Sequence, residues 1–126
     1  MPHTAASSAR IKKTDGTFTA GAMAQAQAKN YLQNLINANR FGNLSQALND
    51  VYGGRGKSSG AYTEEGRAVY HASSGNGQQS VTLFYYMISN QATIFAMGEH
   101  RGSSSYRVCD YGQPNGSFTL NATIAL

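Results

Sequence analysis

The sequence predicts an α+β domain: an N-terminal helical hairpin packed on one face of an antiparallel β-meander of four to five strands. Three observations carry this. A helix-period apolar stripe occupies the stretch from Ala20 to Val51. Segments rich in β-branched and aromatic residues follow Arg67. A glycine-rich stretch separates the two. With 126 residues, 40% of them hydrophobic, the chain suits one core and not two.

Residues 1–19 read as a flexible arm and residues 20–126 as the single domain. In the arm, Ser7-Ser8, Lys12-Lys13 and Asp15-Gly16 interrupt any long periodicity. From Ala20 onward good helix formers dominate. Ala24, Ala28, Tyr31, Leu32, Leu35 and Ile36 recur at helical spacing and define a first helix. Arg40-Phe41-Gly42 would close it, with glycine at the C′ position. Asn43 then caps a second helix that buries Leu44, Ala47, Leu48 and Val51. Gly53 to Gly60 holds four glycines in eight residues and reads as a mobile loop carrying Arg55 and Lys57.

The meander starts with a strand at Arg67–Ala72, and Ser74-Gly75-Asn76-Gly77 carries the Asn-Gly hairpin signal. Ser80–Ser89 is a strand, Asn90-Gln91 a turn and Ala92–Gly98 the returning strand. Ser105–Tyr111 continues, a turn fits Gln113-Pro114-Asn115-Gly116, and Phe118–Leu126 alternates as a last strand.

Composition narrows the function classes. Charged residues are only 13%, against roughly 25% in an average soluble chain. Ten Lys+Arg against six Asp+Glu leave +4 and a pI near 9.4, which favours anionic partners, nucleic acid first. No apolar run approaches the ~18 residues of a membrane span, so no membrane partner is expected. The first residues lack a charged stretch followed by an apolar one, so a cytoplasmic location is expected. Cys109 alone makes neither an intrachain disulfide nor a cysteine zinc cluster. His3, His71, His100, Cys109 and Asp110 show no ligand spacing, so neither a metal nor a cofactor is expected.

Gly53-Gly54-Arg55-Gly56-Lys57-Ser58 is not a Walker loop, because Val51 stands where that pattern needs glycine. Arg55 and Lys57 suit a phosphate backbone through charge alone. The richest stretch is Gly98 to Arg107. His100, Arg101, Tyr106 and Arg107 gather an imidazole, two permanent cations and a phenol within eight residues. Phosphodiester cleavage needs such groups: a proton carrier, and cations for charge gathering on phosphate. On the first strand of the meander, alternation puts Arg67, Val69 and His71 on one face. Tyr85 and Tyr86 fall on opposite faces, so only one lines a site.

The order of helices, basic loop and meander, with Gly98-Glu99-His100-Arg101 at one strand end and Tyr106 following, resembles the RelE/ParE superfamily of bacterial toxins. The resemblance spans residues 20–111, and residues 66–107 carry it residue by residue. It implies a microbial-ribonuclease-like sheet under two helices. RelE-type members cleave mRNA without metal, often on the ribosome, whereas ParE-type members act by binding gyrase. By position, His100 is similar to the family's basic strand-end residue and Tyr106 to its downstream aromatic. Arg67 matches the basic strand beside the cleft, with His71 nearby. No arginine stands between Val81 and Tyr86, where RelE-type nucleases often have one, and the final strand replaces a terminal helix. The expected function is a metal-independent ribonuclease toxin in which His100 moves the proton. Arg101, Arg107 and Arg67 stabilise phosphate charge, and Tyr106 orients the nucleotide. Its partners would be RNA and a cognate antitoxin or immunity protein. The alternatives are a ParE-type protein-binding inhibitor or adaptor on the same scaffold, and the toxin domain of a secreted effector.

Overall fold

The computed structural model describes residues 3–12, 17–19, 22–34, 36, 38–75, 79–100, 105–109 and 120–125. Its elements in chain order are β1 (Ser8–Ile11), α1 (Gln25–Gln33), a 3₁₀ turn at Ala38–Arg40 and α2 (Phe41–Tyr52). Then come β2 (Lys57–Glu64), β3 (Arg67–Ser74), β4 (Val81–Ile88), β5 (Gln91–His100), β6 (Ser105–Cys109) and β7 (Leu120–Ala125). Strands β2 to β7 form an antiparallel meander in sequence order within a seven-stranded sheet. The seventh strand, β1, pairs in parallel with the first half of β5 (Ser8↔Gln91 to Ile11↔Ile94). The second half of β5 pairs with β6 (Met97↔Cys109 to His100↔Tyr106), so β1 and β6 share one edge of β5 end to end.

The α+β class and the meander hold, and three parts of the expectation do not. First, the N-terminal helical hairpin is not formed. The first element is β1, and Ala9 and Ile11 in it are fully buried. A four-residue strand is too short to show alternation in the sequence, which is why residues 8–11 read as arm. The two helices touch each other but sit differently: α1 packs on α2 and β1, whereas α2 covers β3 and β4. Arg40-Phe41-Gly42 opens α2 and closes nothing, because buried Arg40 donates to the Ser80 carbonyl at 2.7 Å and ties this point to β4. Asn43 lies inside α2. Its amide donates to the Gln79 carbonyl (2.7 Å) and its oxygen accepts from the Ser74 hydroxyl (2.8 Å), so it ties the helix to the sheet.

Second, the sheet has seven strands where four to five were expected, because β1 joins it and β2 begins inside the stretch expected as a loop. Third, the glycines there serve close approach. Gly54 has φ +74, a region that disfavours side chains, and the His3 carbonyl lies over it. A Cβ on Gly56 would collide with the Tyr85 hydroxyl. Both glycines are buried. The hairpin from β2 to β3 is closed by Glu65 (φ 55) and Gly66 (φ 73), the paired positive φ angles of a type I′ turn.

The main core lies between the helices and one face of the sheet. Leu32 of α1 and Leu44, Leu48 and Val51 of α2 meet Ile11, Leu83, Tyr85, Ile94 and Met97. The anticipated stripe is seen at Ala28, Leu32 and Ile36, which are buried, and Leu35 lies outside the described residues. The opposite face carries a smaller cluster of Val69, Phe84 and Ala96, with Phe95 against it. Tyr85 and Tyr86 do occupy opposite faces, yet both are fully buried, so neither is free to line a cleft. The turns expected around Asn76-Gly77 and residues 113–116 fall outside the described residues.

Burial raises the pKa of Tyr52 to about 12, and burial first, then Asp50 and Tyr70, raises that of Tyr85. A phenol whose folded pKa exceeds its unfolded value stabilises the fold fully below pH ~10 and loses that contribution as pH rises toward the folded value. Urea midpoints should therefore fall above pH ~10, with Tyr52 contributing part of the loss by pH ~12. Tyr52→Phe should flatten this slope. An unchanged slope would show that Tyr52 does not differ between folded and unfolded states.

Candidate functional site

Where α2 ends, the chain turns through Gly53 and Gly54 and enters β2 opposite β3. Three of the sequence-selected residues, Arg55, Lys57 and His71, come together here around a hollow of about 80 Å³, with Asp50 and Ser73. The ladder pairs Lys57 with His71. The Arg55 guanidinium is held by the Asp50 carboxylate (3.2 Å) and the Asn49 carbonyl (2.9 Å), while Lys57 is exposed. Two permanent cations against one carboxylate leave the rim positive. Arg55 is the anchored one, so the mobile charge available to a ligand is that of Lys57.

His71 is buried, and its Nδ1 is hydrogen-bonded to the Ser59 hydroxyl at 3.0 Å. Ser59 in turn lines a second and larger cavity, of about 180 Å³, on the side of the sheet away from the helices. Its walls are Val69, Phe84, Phe95 and Tyr62, with Glu64 among the few polar groups. Glu64 and Glu65 both accept from the Lys12 ammonium (2.9 and 3.1 Å), and these bonds, Glu64 first, raise the lysine's pKa. The sequence reading missed Ser59, Tyr62 and Glu64 because it placed no strand before Arg67. Glu65-Gly66, the turn that closes this hairpin, gave little signal, because glutamate does not favour the positive φ it adopts there.

His100 ends β5 and lies directly opposite Tyr106 of β6, so the backbone brings these two sequence-selected positions together. Arg107 lies opposite Glu99, and Arg101 lies outside the described residues. Arg67 is not brought to them. Ala72, Leu83 and Met97 are level across β3, β4 and β5. Arg67 is five residues before Ala72 and His100 three beyond Met97, on strands running the same way. That is eight residues, or roughly 26 Å along the strands at ~3.3 Å per residue. One phosphate does not touch both. Arg67 is exposed and donates to the Met87 carbonyl at 3.4 Å. His71 to Ser73, by contrast, lie level with Ala96 to Gly98, nearer the His100 end of the sheet and two strands away.

No protein-family model, curated protein or solved structure matches this chain. Among the described residues, no three His, Cys, Asp or Glu side chains gather as a metal-ligand set, and no helix is long and apolar enough to cross a membrane.

Proposed function

We propose that this chain binds single-stranded RNA along the sheet from His71 toward His100 and cleaves it without a metal ion. This is the activity that the RelE-type resemblance implies. The observation that supports it best is the convergence on one hollow of Arg55, Lys57 and His71, the three residues chosen from the sequence for RNA binding. In this reading His100 takes the proton of the 2′-hydroxyl. The 2′-oxygen attacks phosphorus, the 5′-oxygen leaves with the proton that His100 took up, relayed through water, and a 2′,3′-cyclic phosphate remains. Arg101 and Arg107 offset the charge that gathers on phosphate, and Tyr106 orients the nucleotide. Arg67 takes no part, given its distance. RNA, free or on the ribosome, is the substrate, and a cytoplasmic antitoxin or immunity protein holds the activity in check.

Lys57→Ala tests the binding half. Each phosphate contact on a single strand contributes a slope of about −0.7 in log affinity against log salt. The affinity lost in the variant should therefore shrink about 2–3-fold between ~50 and ~200 mM salt, measured by fluorescence anisotropy with a labelled RNA. Equal affinity of wild type and variant at the lower salt would remove this hollow from the interface. Growth arrest on induction with RNA left intact would favour the ParE-type alternative, in which the same surface binds a protein.

A further inference from the structure

Strand β2 departs from a regular ladder at one place. Ser58 pairs with Tyr70 and Thr63 with Ala68, so four residues, Ser59 to Tyr62, stand against the single residue Val69. Gly60, at φ +66, allows the excursion. A bulge of this size gives up ladder hydrogen bonds, and bulges recur beside binding sites, where they re-aim the chain. Here it roofs the cavity of about 180 Å³, with Val69 beneath.

We propose that this cavity is a nucleobase pocket that selects cytosine; the inference rests on the RNA-binding reading above. Size speaks first. An apolar cavity of ~150 Å³ holds one benzene ring, so this one suits a six-membered ring with its substituents and not a fused purine. Chemistry speaks second. Tyr62 and Phe95 offer aromatic surface, with buried Phe84 as part of the apolar lining, and stacking on such rings raises affinity roughly 5–150-fold per base. Tyr62 is 43% exposed, the larger of the two exposed aromatic side chains among the described residues, which puts an aromatic ring at the mouth. Polarity speaks third. Glu64 presents a carboxylate, fixed by Lys12 at 2.9 Å, and a carboxylate only accepts. It suits the N4 amino group of cytosine and repels the O4 of uracil. Finally, Ser59 of the cavity and His71 of the basic hollow are joined by one hydrogen bond, so base site and phosphate site are one contact apart.

The test uses the full chain and three uncleavable 2′-O-methyl tetranucleotides: oligo-C, oligo-U and an abasic ribose-phosphate tetramer. Oligo-C should bind at least 10-fold tighter than the abasic tetramer and about 5-fold tighter than oligo-U. Val69→Phe, which fills the cavity, should bring all three to the abasic level. Glu64→Ala should remove only the preference for C over U. Equal binding of all three by the wild type overturns the base pocket and leaves the backbone-binding reading standing. Equal binding of oligo-C and oligo-U overturns the selection of cytosine. Binding of none at ~50 mM salt overturns the RNA reading itself and the pocket with it. Should Val69→Phe fail to fold, Glu64→Ala still decides the selectivity claim, and Phe95→Leu, which removes one aromatic wall, decides the stacking claim.

Discussion

His100→Ala should lower RNA cleavage by roughly 10²–10⁴-fold, the range expected when a positioned imidazole no longer carries the proton. The cut should be in kcat, with RNA affinity little changed, because the proton moves only on the way to the transition state. Arg101→Ala should lower kcat as well, since a fixed cation acts mainly on developing phosphate charge. Arg67→Ala supplies the internal contrast. Roughly 26 Å along the strands separate it from His100, so it should cleave like wild type. Intact RNA after incubation with wild-type protein, with and without ribosomes, would replace the nuclease by the protein-binding alternative. Equal losses in His100→Ala and Arg67→Ala would show that the whole fold, and not the β5 end, had been damaged.

The parts of this molecule that could be read in its sequence are those where periodicity runs long enough to be seen. The buried stripe Leu44, Ala47, Leu48, Val51 repeats at helical spacing over two turns and gave α2. The run from Val81 to Ile88 and its return from Gln91 are rich in branched and aromatic residues and gave the central hairpin. Strands β1 and β2 were hidden for different reasons. Strand β1 has four residues and is defined by a parallel partner some eighty residues away, which no local pattern reports. Strand β2 opens in a glycine-rich, polar run, Lys57-Ser58-Ser59-Gly60, and its irregular register cancels alternation. The candidate site divides along the same line. Arg55, Lys57 and His71 were found by residue chemistry, and the ladder brings them together. Arg67 was grouped with His71 because alternation gives a shared face but says nothing of distance along the sheet. Ser59 and Glu64 escaped because their roles depend on a strand that was not foreseen.

Glycine-rich loops are usually taken as hinges, and Gly56→Ala decides whether this one is. In a mobile loop the substitution would be neutral or would stabilise by about 0.4–1 kcal/mol, by narrowing the unfolded ensemble. The packing here predicts the opposite. The added methyl would occupy the place of the Tyr85 hydroxyl. Tyr85 cannot retreat: it is fully buried, with its ring beside Tyr70 (5.9 Å between centroids) and His3 (5.3 Å). Its oxygen receives the Gly56 amide and lies 2.5 Å from His3 Nε2. His3 Nδ1 donates to the Thr4 carbonyl, so in the neutral ring Nε2 is the acceptor and the tyrosine donates. Overpacking costs about 1–3 kcal/mol, and breaking these hydrogen bonds adds about 1–3 more. Gly56→Ala should therefore cost about 3 kcal/mol or more and lower Tm by about 10 °C. Tyr85→Phe removes the colliding oxygen but also both of its hydrogen bonds, so by itself it should cost about 1–3 kcal/mol. Combined with Gly56→Ala it should cost at least about 1 kcal/mol less than the sum of the two, because the hydroxyl can be lost only once. Strict additivity in that cycle, or an unchanged Tm for Gly56→Ala, would restore the mobile-loop reading for Gly53 to Gly56.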